Sequence, residues 1–193
     1  MTLLGNLLFG LVLGFSLTIP PGPMNALIAA ISARSARGGI VTGFGAMCAD
    51  LVLGGLVFGL DSVVNLAPIV RAVYAVGAVV MVYFGVRLLR SFAVASPTAE
   101  VTVRTFTRAL ALGLSNPFQI VWWITAGLAF AYLGGPVLLL GLFGAIAIWI
   151  VAFPVAVHSG ARRYPRLQRA IGYASAAILL GFAVYFAVLA IRG

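Results

Sequence analysis

Asp50 stands in the middle of an apolar run, between Cys48-Ala49 and Leu51-Val52-Leu53. If that run crosses a bilayer, an ionised carboxylate at its centre costs about 2.5–3.5 kcal/mol on insertion scales. No Arg lies within a turn of it in sequence, so a partner must come from another span, from a solute or from a bound proton. A carboxyl group that takes up a proton on one side and releases it on the other suits proton-coupled transport. The plainer alternative is a structural aspartate bonded to a helix break. Two such breaks are written into the chain, at Pro20-Pro21-Gly22-Pro23 and at Ser115-Asn116-Pro117. Each is followed by a restart whose free N–H groups and partial positive charge can hold an anion. Met24 and Asn25 open the first restart, Phe118 and Gln119 the second. A zwitterionic amino acid fits this set. Its carboxylate would meet a half-helix N-terminus, its ammonium would meet Asp50, and Asn25, Asn116 and Gln119 would orient it. The candidate substrate-binding residues are Pro21, Gly22, Pro23, Asn25, Asp50, Asn116, Pro117 and Gln119, with Asp50 also the proton-coupling group.

Other chemistries have little to work with. There is no HExxH, nucleophile elbow, Walker A motif or paired intramembrane carboxylates, so neither catalysis nor ATP-driven transport is expected. Transport would have to draw on a gradient. Cys48 is the single cysteine, too few for an internal disulfide or a redox pair, and it reads as a small packing residue. No cofactor is expected. Trp122, Trp123 and Trp149 read as aromatic anchors or core, and His158 as an interfacial histidine. Gly39 with Gly43 and Gly55 with Gly59 have the GxxxG spacing that lets helices approach closely.

The surrounding composition sets the medium. Of 193 residues, 63% are hydrophobic and 8% charged, against about 45–50% and about 25% in soluble domains. With a mean hydropathy of +1.18, a soluble enzyme or binding module is excluded. The net charge of +9 comes from twelve Arg against Asp50, Asp61 and Glu100. Those Arg punctuate apolar runs and form no continuous face, so nucleic acid is not an expected partner.

Six apolar spans follow, near residues 3–32, 38–60, 67–89, 109–131, 135–157 and 170–191. They are too long and too uniformly apolar for barrel strands. The first lacks a basic n-region and reads as a retained span rather than a leader. Arg34 and Arg37, then Arg90, Arg104 and Arg108, then Arg162, Arg163, Arg166 and Arg169 fall in alternate connections. These should be cytoplasmic, which puts both termini outside, against the one dissenting residue Arg192. The connection 91–106 is mixed in polarity and expected to be mobile. As one straight helix the uncharged first segment would be roughly 50 Å long, too long for one span, while 24–33 covers only about 15 Å. Three prolines resolve this by breaking the helix. Freed backbone groups survive in a membrane only inside protein or beside a water-filled cavity.

The breaks also repeat. Pro23 and Pro117 are 94 residues apart, and Gly38-Gly39-Ile40-Val41 with Gly45 parallels Gly134-Gly135-Pro136-Val137 with Gly141 at a spacing of 96. Three spans per half make the halves run oppositely, a recurrent plan of secondary transporters. The expected fold is an all-α integral membrane bundle of six transmembrane helices. It is one transporter domain over 1–193, built from inverted repeats at about 1–90 and 105–193, with helices 1 and 4 broken.

Ile19-Pro20-Pro21-Gly22-Pro23-Met24-Asn25 resembles the PGPN-type signature of the LysE/RhtB amino-acid exporter family. Gly38 through Gly45 leading to Asp50, Tyr83 through Arg90, and Phe106–Gly113–Ser115-Asn116-Pro117 with Trp122-Trp123 resemble its later motifs in the same order. Met24 separates Pro23 from Asn25 where the family runs PGPN, and Cys48-Ala49 precedes Asp50 where a Gly is usual. The resemblance implies export of amino acids or related metabolites across the cytoplasmic membrane, coupled to protons, with no enzymatic reaction. The alternative is a metal-ion or other small-solute permease on the same scaffold, although one Asp and one Cys make a poor cation site. A single acid at membrane depth favours neutral over dibasic solutes. Lipid is the surrounding partner, and a homodimer is the working expectation.

Overall fold

The computed structural model describes residues 2–19, 21–60, 67–93, 103–124 and 128–192. Pro20, Asp61, Glu100 and most of the 91–106 connection lie outside them. Among the described residues all regular structure is helical. The elements are α1 (Leu3–Thr18), α2 (Pro23–Ser32), α3 (Ala36–Leu60), α4 (Ala67–Ala93), α5 (Val103–Leu114), α6 (Pro117–Trp122), α7 (Leu128–Arg163) and α8 (Pro165–Arg192). Within α7, Gly135 has a φ of 60°, a left-handed conformation that glycine adopts without a Cβ clash. It separates the short arm from the long apolar stretch Gly135–Arg163. That stretch, Ala36–Val57 and Arg166–Arg192 are long and apolar enough to cross a membrane among the described residues; α1 and α2 add a fourth if they count as one broken span.

The first proline cluster acts as its composition dictates. The chain leaves α1 after Thr18 and re-enters helix at Pro23, with the two axes at 78°. Pro23 sits at the first helical position, where its missing N–H costs nothing. Gly22 caps it in an extended conformation (φ −148°) with no side-chain bond. The second break is made differently. The Asn116 side-chain oxygen accepts from the Phe118 N–H at 3.2 Å, and Pro117 again opens the helix. Ser115 closes the end of α5 by donating from Oγ to the Ala111 carbonyl at 2.6 Å.

The bend separates two cores. Leu13 of α1 packs with Leu138, Leu142, Ile146 and Ile150 of α7, together with Leu53 and Trp123. Ala26, Leu27 and Ala30 of α2 instead join Met81 and Phe84 of α4 and Leu179 and Phe186 of α8. The main helix pairs are α4 with α8, α1 with α7, and α3 with α5 and α7; α2 lies on α8 and α3. At the far end of α2, His158 of α7 donates from Nδ1 to the Ser32 carbonyl at 3.0 Å. The carbonyl can only accept, so this nitrogen carries the proton.

Small residues set the tightest approaches. A Cβ at Gly141 would strike the Leu7 carbonyl of α1 and come within 3.0 Å of the Leu11 amide; a Cβ at Gly45 of α3 would meet the Phe106 carbonyl of α5 at 2.6 Å and the Leu110 amide at 3.2 Å. Of the GxxxG glycines, Gly39 abuts Ser32 and Pro154, and Gly43 abuts Ile150, whereas Gly55 faces open space. Gly141→Ala is expected to destabilise by about 1–3 kcal/mol, the usual range for overpacking. Gly55→Ala should be neutral or gain up to about 1 kcal/mol from helix propensity. Thermal midpoints in detergent micelles check the contrast; equal midpoints for the two variants would contradict the packing.

Candidate functional site

Asp50 lies within α3 at 6% exposure. Its partners come from α6 and from the residue that caps that helix at its C-terminal end, just past the second break. Gln119 Nε2 and Trp123 Nε1 each donate to the Asp50 carboxylate at 2.7 Å, and both end on Oδ1. The two donors are four residues apart, one turn along the same helical face. Trp123 itself is fully buried and stacks against Phe143 at a centroid distance of 6.0 Å. Both donors offer only N–H at these atoms, so Oδ1 is taken as an acceptor and Oδ2 is the oxygen left for a further partner.

Asn25 does the equivalent work at the first break. Its side-chain amide donates to the Thr18 carbonyl, one of those left over where α1 ends. Its side-chain oxygen accepts from Trp149 Nε1 of α7 at 3.2 Å. One residue thereby ties the end of α1, the start of α2 and the middle of α7 together.

A cavity of about 110 Å³ lies between these groups. Pro21, Gly22, Pro23, Asn25, Asp50, Asn116 and Gln119 all line it, so seven of the eight residues expected from sequence are brought together. The eighth, Pro117, is fully buried and packs against Gly77 of α4 instead. The remaining wall is mostly apolar, with Leu17, Ile28, Ala46, Ile146, Ile150 and Phe182, and Thr18 and Trp149 complete its polar part. Among the described residues of the lining, Asp50 is the sole ionisable side chain. By the space one water needs, about 10–15 Å³, the cavity holds a solute of roughly eight to ten non-hydrogen atoms.

Sequence reasoning missed two contributors. Trp123 is a core residue, one of the two roles its sequence context suggests, and it also donates to the Asp50 carboxyl. Its spacing of four from Gln119 was the available signal. Trp149 had none, because its contact with Asn25 spans 124 residues. Trp123→Phe keeps the ring and deletes the N–H. It is expected to cost about 1.5–3 kcal/mol if the carboxyl is charged and about 1 kcal/mol if neutral. In an Asp50→Ala background the same change should cost less. The difference, read from thermal unfolding of the four proteins of the cycle, should be at least about 0.5 kcal/mol. Additive losses would mean that the bond contributes nothing.

Comparison with known proteins adds an independent line. The LysE type translocator family matches residues 15–190. The Bacillus subtilis (strain 168) protein named "Putative amino acid efflux protein YcgF" is 31% identical over 91% of this chain and 92% of its own length. The Pseudomonas aeruginosa "Uncharacterized membrane protein PA4757" is 31% identical over 86% of this chain and 88% of its own. No solved structure matches the chain. The extent of the family match and the two relatives agree with the apolar helices: this chain belongs to the LysE type translocator family, and is therefore a multi-pass membrane transporter rather than an enzyme.

Proposed function

We propose that the protein exports amino acids or related small metabolites across the cytoplasmic membrane in exchange for protons, with Asp50 as the group that carries the proton. The observation that carries this reading is the Asp50 carboxyl, held on one oxygen by Gln119 and Trp123 beside a cavity that both helix breaks border. The other oxygen is where a proton or a solute ammonium binds in this mechanism. The two compete for it, and that competition couples their movements. The solute carboxylate binds at the first turn of α2, whose residues Pro23, Met24 and Asn25 line the cavity and whose cap residue, Gly22, makes no side-chain hydrogen bond to it. Asn25, Asn116 and Gln119 orient the solute, with Pro21, Gly22, Pro23 and Pro117 shaping the two helix ends. Apolar walls favour a neutral side chain, since a second cation on the solute would find no carboxylate of its own in the described lining.

The same proposal includes the architecture: six spans in two inverted repeats, about 1–90 and 105–193, within one domain. The packing supports it. If α1–α2 pairs with α5–α6, α3 with the long arm of α7, and α4 with α8, then contacts of one half have counterparts in the other. α1 on α7 corresponds to α5 on α3, and α2 on α8 to α6 on α4. Gly141 against Leu7 and Leu11 corresponds to Gly45 against Phe106 and Leu110. The Ser32–His158 bond brings the end of α2, followed by Arg34, beside His158, about one turn before Arg162 in the last turn of α7. That agrees with Arg-rich connections on one face, which the charge rule makes cytoplasmic, and leaves both termini outside.

Flux in proteoliposomes tests this. Wild-type protein should drive labelled neutral amino acids out of the vesicles as protons flow in down an imposed gradient, and collapse of the gradient should stop it. Asp50→Asn should reduce flux to the level of protein-free vesicles while still inserting and eluting as a single species. Undiminished flux by that variant would remove Asp50 from the mechanism.

A further inference from the structure

The central cavity has a neighbour. A second cavity, of about 290 Å³, lies between α2, α7 and α8, and the two share Pro21, Gly22, Asn25 and Trp149 in their walls. Asn25 and Trp149 are bonded to each other at 3.2 Å. This hydrogen bond between two partly buried side chains thus lies in the wall that the cavities share, beside Pro21 and Gly22. Each partner is held in turn by a neighbour. Asn25 is oriented through Thr18, and the Trp149 ring lies nearly flat on Phe153, with centroids 4.9 Å apart and planes 8° apart.

The second cavity has its own character and its own side. Phe153 lies one turn beyond Trp149, toward the Arg162–Arg163 end of α7. Ile171, Ala174 and Ser175 lie in the half of α8 that starts from Pro165 and Arg166. Its walls thus run from the broken-helix level toward the Arg-rich turns. Ser175, 3% exposed, brings a hydroxyl to it, and the described residues of the lining include no ionisable side chain.

We infer that the Asn25–Trp149 pair is the inner gate of the transport route, and that the second cavity is a waiting site where a neutral-side-chain solute stands before this bond opens and admits it to Asp50. The inference rests on the export reading of the central cavity and adds to it a path, a site and two gating residues. Rotation of the Trp149 ring off its bond would join the two volumes without moving a helix. The occupant is then the transported solute. Its apolar part lies on the Phe153–Trp149 stack and its polar part reaches Ser175 and the Asn25 oxygen.

Thiol accessibility decides it, because the single native cysteine can be removed as Cys48→Ser. In that background Ser175→Cys reports on the second cavity, and Ala46→Cys, which lines the first, reports on the central one. A small cationic thiosulfonate reagent is applied to the cytoplasmic face of inside-out vesicles. Ser175→Cys should react readily and Ala46→Cys slowly. Trp149→Phe, which keeps the ring and loses the N–H, should speed Ala46→Cys by about three- to tenfold, the factor one hydrogen bond supplies. Ser175→Cys should change by less than about twofold in the same variant, since no bond guards it. Asn25→Ala should repeat the effect from the acceptor side. An unchanged Ala46→Cys rate in both variants overturns the gate. Ala46→Cys reacting while Ser175→Cys does not overturns the route. Flux of labelled amino acids through Ser175→Cys, fully modified, should be blocked; full flux would also overturn the route. Should the wild-type protein carry no amino acid at all, the export reading fails, while the labelling rates still judge the gate.

Discussion

Every polar group left over at membrane depth needs a partner that lipid does not offer, and the centre of this protein is arranged around supplying them. Breaking a helix frees carbonyls at one end and N–H groups at the next. Asn25 returns to a carbonyl at the end of α1, Asn116 caps α6, and Gln119 and Trp123 share one oxygen of Asp50. Leaving a buried polar group unpaired costs about 1–3 kcal/mol, more when it is charged. The partners are therefore not decoration on the cavity. They are the condition for having a cavity with polar walls in this place.

That condition explains why the breaks and the carboxyl occur together. A straight first helix would pack along one neighbour. Bent by 78°, its halves join two different hydrophobic cores. α1 lies against α7, where Gly141 permits backbone contact, and α2 crosses to α8. The bend opens space that α6, itself restarted by a proline, reaches with Gln119 and Trp123. Close glycine contacts at the periphery thus hold apart a small void at the centre. The exposed Leu, Val and Ile side chains on the outer faces are what a chain surrounded by acyl tails presents.

Membership of the LysE type translocator family fits this geometry. A transporter needs a site that binds and releases, and in the exchange we propose, a carboxyl held on one oxygen leaves the other for proton and solute to alternate on. The chemistry asked of the protein is modest, and the positioning is demanding.

Much of this was legible from residue types alone. Prolines without donors forced both breaks, and the location of a lone Asp in an apolar run marked the place where charge would need company. Composition made the chain a membrane protein, and Arg spacing suggested its faces. These are local properties, and each follows from one residue or one short window. Which groups would answer Asp50 was not local. Gln119 and Trp123 lie 69 and 73 residues away, and Trp149 meets Asn25 across 124. A tryptophan in an apolar helix has the same sequence signature whether its indole N–H faces lipid headgroups, packs in a core or binds a carboxylate. Only the packing of α3, α6 and α7 chose among these, because a hydrogen bond depends on where two helices cross, and that crossing is set by glycines and side-chain volumes far from either partner.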